Sequence, residues 1–394
     1  MKKIYAYLLT AFVLVSCSES NDEDLGTSFG YELMIADSLD LRILGSPTLA
    51  SVSEDGNKLV FYDYSNKEFV FTDDSGEVLS KFSKKGDTPD SYGFLMEFPG
   101  FIADDQVAVT GMKGIFVYDL NGGLVKKFSH PELMGGAAFM SFPGKGIEST
   151  TIDGSVYLLS KSVRIRDTYA GEQEFYDKFK AIELVDLEIG SFTDIVPFER
   201  GSKFLDGNGY YESDYAPAFK AYNGKLYVVL GGEAKLNVYA LSPEGVSLDT
   251  IVELQIPDFG DLPITSRDVF TQGSVAVKAN TPAIRNIHVL DEKLVIHYFG
   301  GIEEEKLKDA NALWEAGDKE GFEIQYKKVL EQVVQGVLIL DAKRLNVFDN
   351  LKLPEGVNLR GFASGGGFLW MERTPDPDDE EEFLRIYKVK ITAQ

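Results

Sequence analysis

The sequence predicts an all-β fold in which six four-stranded units close into a ring. Three observations predict it. Past residue 30, helical periodicity is nearly absent, and short β-branched and aromatic runs recur between Asp-Gly, Asn-Gly and Gly-Gly turns. One phrase, a turn leading into an apolar strand, returns at Asp55 to Tyr62, Asp104 to Val109, Asp153 to Leu159, Asn223 to Val229 and Asp291 to Ile296, with a looser copy at Gly366 to Met371. The last unit runs out of chain before its final strand, while an unassigned strand pattern, Tyr31 to Ile43, waits near the start. Radial repetition of this kind is the signature of a β-propeller, here six-bladed.

Taken in order, each phrase supplies the second strand of a blade. The third strands are Phe69 to Asp73, Ile115 to Leu120, Ile182 to Leu187, Leu236 to Leu241, Val337 to Asp341 and Leu384 to Val389. The first five lead through a turn into outer strands at Val78 to Phe82, Leu124 to Phe128, Phe192 to Phe198, Leu248 to Leu254 and Leu345 to Leu353. First strands precede the phrases, as at Ala218 to Tyr222 and Ile284 to Leu290. Tyr31 to Ile43 is expected to complete the sixth blade, so that the two ends of the chain pair and leave only short, protected edges.

Two insertions break the rhythm. Arg164 to Lys180, in blade three, reads as an extended hairpin or a short helix. From 303 to 334, in blade five, the pattern turns helical, with Leu307, Ala310 and Trp314 on one face and Phe322, Tyr326, Val329, Leu330 and Val333 on another after the Gly317-Asp318 break. This helical hairpin faintly resembles a single tetratricopeptide unit. A solitary unit makes no solenoid, so a helical cap on a propeller face is the expectation.

The first residues locate the protein. Met1-Lys2-Lys3 followed by an apolar run from Ile4 to Val15 has the form of a signal segment, 1–16, too short for a membrane-spanning helix. Leu14-Val15-Ser16-Cys17 resembles the lipobox of bacterial lipoproteins, which implies cleavage before Cys17 and lipid on its thiol. Cys17 is the only cysteine, so no disulfide is expected and the domain rests on its hydrophobic core. Residues 17–30, acidic from Glu19 to Asp24, form the expected tether, and resemble the acidic export signal of surface lipoproteins in Bacteroidota. Cell surface and periplasmic face of the outer membrane both stay open. Loss of the signal takes Lys2 and Lys3 with it, so 37 Lys and Arg face 63 Asp and Glu, a formal charge of −26. That charge disfavours nucleic acid and anionic lipid surfaces as partners.

Chemistry is sparse. Three histidines, no Gly-x-Ser-x-Gly, no Walker loop and no His-Glu-x-x-His leave no catalytic constellation, and no cofactor is expected. A hairpin turning at Asp291-Glu292, with 290 opposite 293, places His288 opposite Val295 and His297 opposite Asn286. The two imidazoles then share one face as a weak metal or acid/base candidate without a third ligand, or as packed strand histidines. Loops and inner strands at one mouth carry Lys84, Lys85, Arg200, Lys203, Arg267, Arg285 and Arg360, with Tyr92, Tyr210, Tyr211 and Tyr215 beside them. From these, Lys85, Tyr92, Arg200, Arg267, Arg285 and Arg360 are the candidate ligand residues, suited to a carboxylate, a sulfated sugar or a peptide terminus. Scattered cations bridging an acidic surface is the alternative. Asp376 to Glu382 reads as a solvated hairpin tip.

The repeat pattern, together with Lys84 to Tyr92 after blade one, resembles the six-bladed TolB-like propellers, specifically propeller lipoproteins of Bacteroidota. Thr88 and Asp90-Ser91 depart from that group's Gly-x-Gly-Pro-x-Glu loop. The resemblance implies a fold and little about function, because propellers host many. The expected role is a non-catalytic binding or interaction module, anchored to the membrane by lipid, for a peptide, glycan or envelope protein partner. A hydrolase or lyase acting on extracellular polymer, and a structural part of an envelope complex, are the alternatives.

Overall fold

The computed structural model describes residues 30–132, 145–162, 164, 166–273, 278, 280–375 and 382–393. The signal segment, Cys17, most of the tether and residues 376–381 of the acidic hairpin tip lie outside the described residues.

Six antiparallel four-stranded sheets follow one another along the chain, at 47–82, 95–128, 148–195, 217–253, 283–351 and 357–393. Tyr31–Leu41 joins the sixth as its outer strand, pairing with Leu384–Ala393 from Tyr31 opposite Ala393 to Leu41 opposite Leu384. Arg385 locks this seam with a fork onto Asp40, Nε to Oδ1 at 2.7 Å and Nη2 to Oδ2 at 2.9 Å. The closure expected from the unfinished sixth repeat is therefore the one that forms.

The strands read as they do because of where they lie. Second and third strands such as Lys58–Asp63 and Gly114–Asp119 are buried almost throughout, since each blade is covered by a neighbour on both faces. Their sequences are accordingly near-continuous apolar runs rather than alternating ones. Outer strands such as Leu124–Phe128 are largely exposed and carry lysines. One apolar cluster fills each of the six interfaces between neighbouring blades; Phe69 and Phe71 of blade one, for example, pack with Phe116 and Tyr118 of blade two.

The first strands, Pro47–Val52, Leu95–Ala103, Glu148–Ile152, Pro217–Tyr222, Ala283–Leu290 and Val357–Gly365, lie at the axis and touch their counterparts in adjacent blades. They begin at one face of the disc, the entry face, and end at the other, the exit face. Such close approach demands glycine at the seam between blades six and one. Gly56 has φ +77°, and a Cβ there would stand 2.7 Å from the Cα of Gly366.

Both insertions join second to third strands, which places them at the entry face. Blade three contributes the short helix Gln173–Lys178, and blade five the pair Glu304–Glu315 and Lys319–Leu330. Leu307 and Val329 bury against Phe299 and Ile302, so the hairpin caps blade five as its apolar spacing predicts. Trp314 departs from that face: it is 57% exposed and packs edge-on against Phe322, at 5.3 Å.

Candidate functional site

The channel supplies the site. A cavity of about 520 Å³ opens at the exit face and is walled by all six blades, with Ser51, Phe101, Glu148, Lys220, His288 and Ser364 as one representative of each. Its volume falls in the range of ordinary ligand pockets, about 300–1,000 Å³.

Three charged side chains meet in its wall. Glu148 heads the inner strand of blade three, and Lys145 stands three residues before it, on the segment running along blade two. Lys220 comes from the middle of blade four's inner strand. Glu148 Oε2 accepts from the Lys145 ammonium, while Oε1 accepts from Lys220 Nζ at 2.5 Å and from the Ala221 N–H at 3.2 Å. Lys145 also lies over the ring of Phe219, 5.1 Å from its centroid. Lys145 and Glu148 are only 7% and 9% exposed, and what exposure remains faces the cavity. Burial pushes the Lys145 ammonium down to about 8, so it stays charged at neutral pH. Glu148 feels the same burial, but the two lysines outweigh it and hold the carboxyl below its usual value.

Close to these three lies a buried pair, Glu97 and Lys161, and the Glu97 charge reaches Lys145. Glu97 of blade two accepts from Ser160 Oγ at 2.7 Å and from the Lys161 N–H at 3.2 Å, and its burial raises its pKa. The cavity's rim has the opposite sign from its wall, because Glu54, Asp104 and Asp291 sit exposed in the turns at the exit face.

The two strand histidines take the predicted register. Leu290 pairs with Lys293, His288 with Val295 and Asn286 with His297, and both imidazoles pack on Phe362, at 4.4 and 5.9 Å. His288 Nδ1 is 3.0 Å from Ser364 Oγ. Burial holds both pKa values well below that of a free imidazole. Among the described residues, no three His, Cys, Asp or Glu side chains gather as metal ligands.

The six candidate ligand residues belong to the entry face, and among the described residues neither the channel cavity nor the seam cavity is lined by more than one of them. Lys85 and Arg200 are exposed. Tyr92 is buried in the core between blades one and two, tilted against Phe69 at 5.7 Å. Arg267 is committed within the protein, donating to the Asn208 carbonyl at 3.1 Å and Gln173 Oε1 at 2.8 Å above the ring of Tyr176. Arg285 stacks on Phe299 at 3.8 Å, and burial pushes its pKa down to about 10. Arg360 lines a separate cavity of about 700 Å³ at the seam of blades six and one, with Arg42, Arg373 and Glu372.

No family model matches the chain, and no curated protein matches it. Among solved structures, a member of the DUF4221 family from Bacteroides vulgatus is similar at 13% identity and a TM-score of 0.63, covering 93% of this chain and all of that one. A Bacteroides fragilis protein named as exported is similar at 12% identity and a TM-score of 0.51, covering 91% of this chain and 95% of that one. What they share with this chain is the fold.

Lys145, Glu148 and Lys220 are the residues that sequence reading misses. A signal was present in Lys220, the one charge inside the otherwise uncharged strand Pro217-Ala218-Phe219-Lys220-Ala221-Tyr222. Glu148 left no such mark, because it stands at the edge of a polar stretch, Glu148 to Thr151.

Proposed function

We propose that this protein is a non-catalytic binding module, held at the outer membrane by lipid on Cys17, that takes part of a peptide or glycan ligand into its central channel. The observation that carries this reading is the channel cavity itself, walled by six blades and furnished with hydrogen-bonded charge, buried at Lys145 and Glu148 and half-buried at Lys220. Buried charge of this kind contributes little to stability compared with apolar packing of the same volume, so a ligand-facing role accounts for it better than a structural one. The lipobox resemblance of Leu14 to Cys17, and the likeness of the fold to an exported Bacteroides protein, support an envelope location.

The test is a binding screen of oligosaccharides and short peptides against the wild-type protein and Ser149→Trp, which fills the channel from a half-buried wall position. Ligands that bind the wild type, lose binding in Ser149→Trp at unchanged melting temperature, and are recovered chemically intact support the module. Ligands recovered cleaved support the hydrolase or lyase instead. Equal binding by both proteins removes the channel from the reading.

A further inference from the structure

We propose that the channel cavity takes a ligand bearing a single carboxylate, held by Lys145 and Lys220 in competition with Glu148. The inference rests on the channel-binding reading above and names the chemistry of what enters.

The charges in the wall do not balance. Two ammonium groups share one carboxylate, and the next acid, Glu97, whose charge also reaches Lys145, is bonded by Ser160 and the backbone of Lys161 and has the buried Lys161 ammonium as its own counter-charge, which leaves three ammonium groups to two carboxylates. Elsewhere in the molecule, by contrast, Arg385 forks onto Asp40, and Arg164 meets both Glu183 and Asp194. Each ammonium has three donors. Lys145 and Lys220 each place one on Glu148, and both border the cavity. An anion in the cavity completes the pairing, and within this low-dielectric wall its bonds to ammonium groups are charge-assisted.

The rim restricts which anion. Glu54, Asp104 and Asp291 surround the mouth with negative charge, in a chain whose formal charge is already −24. A polyanion is repelled there, whereas a ligand that leads with one carboxylate and trails neutral or cationic groups meets favourable charge at both ends. Uronic acids and the C-terminal ends of short peptides have this form, and both are of a size that about 520 Å³ accommodates. The apolar share of the wall, Phe101, Ile102, Val289 and Leu290, suits the carbon skeleton of either.

The experiment uses matched pairs that differ only at the carboxylate: glucuronate against glucose, and alanyl-alanine against its C-terminal amide. Titration calorimetry on the full chain at low ionic strength is expected to show the acid of at least one pair binding tenfold or more tightly than its neutral or amidated partner. Lys220→Met, a half-buried position that leaves the Lys145–Glu148 pair in place, is expected to reduce that preference by tenfold without lowering the melting temperature. Equal affinity within both pairs, with binding abolished by Ser149→Trp, overturns the carboxylate inference and leaves the channel reading standing. Failure of all four probes to bind the wild type overturns the inference, and the screen above then judges the channel reading separately. A carboxylate preference that survives Lys220→Met and Lys145→Met alike overturns the assignment of these lysines.

Discussion

Removing the carboxylate at the centre of the channel is the sharpest perturbation available. Glu148→Gln keeps the shape of the side chain but leaves Lys145, 7% exposed, without its counter-charge and directs an amide towards one of two ammonium groups. The attraction at stake is large. At the 2.5 Å separation of Lys220 Nζ and Glu148 Oε1, an effective dielectric constant of 20 gives about 6–7 kcal/mol. Desolvation of the three groups cancels most of it, so the net value of the arrangement is small, whereas breaking it from one side costs about 3–5 kcal/mol. Glu148→Gln is therefore expected to lose about 3–5 kcal/mol, read as a shift of the urea midpoint at unchanged slope. Lys145→Met is expected to lose less, because Glu148 keeps Lys220 and the methionine stem still covers Phe219. In the double variant the losses should fall short of their sum by about 2 kcal/mol or more, since the second substitution removes a charge already orphaned by the first. Additivity within about 0.5 kcal/mol would refute the reasoning, because two groups that ignore each other's removal are not paired.

Three further outcomes follow from the packing. His297 is buried against Phe362 with neither ring nitrogen hydrogen-bonded among the described residues, so His297→Leu should stabilise the fold by about 1–2 kcal/mol at pH 7.5. Its folded pKa lies well below the ordinary 6.5, so only the unfolded chain gains a proton as pH falls past 6.5. Wild-type stability drops there and the variant's advantage should widen by about 1.4 kcal/mol at pH 5.5, checked by urea melts at the two pH values. Gly56→Ala forces a Cβ into a left-handed turn and against Gly366, and should cost about 2–4 kcal/mol in the same assay. Deleting the chain through Leu41 strips the outer strand from blade six and bares the edge of Leu384–Ala393; loss of a single cooperative transition, with association on gel filtration, is the expected result.

The six-fold repeat, the closing strand, the 290–293 register and the helical cap are all written into the sequence of this chain. Each depends on local physics: turn residues precede strands, and a strand buried on both faces reads as an unbroken apolar run. Even the missing outer strand of blade six was legible, since an unpaired strand pattern and an incomplete repeat have one economical solution. Ring geometry decided the rest. Tyr92 looked like a polar loop residue and became core, because blade two folds over it and Phe69. Arg267 and Arg360 looked alike as cations near one mouth, but Asn208 and Gln173 engage the first within the protein, and the second lines a separate cavity. Lys145, Glu148 and Lys220 stand up to 75 positions apart, and no spacing or motif announces them. They meet because the first strand of every blade is brought to one axis, a long-range contact that no local pattern encodes.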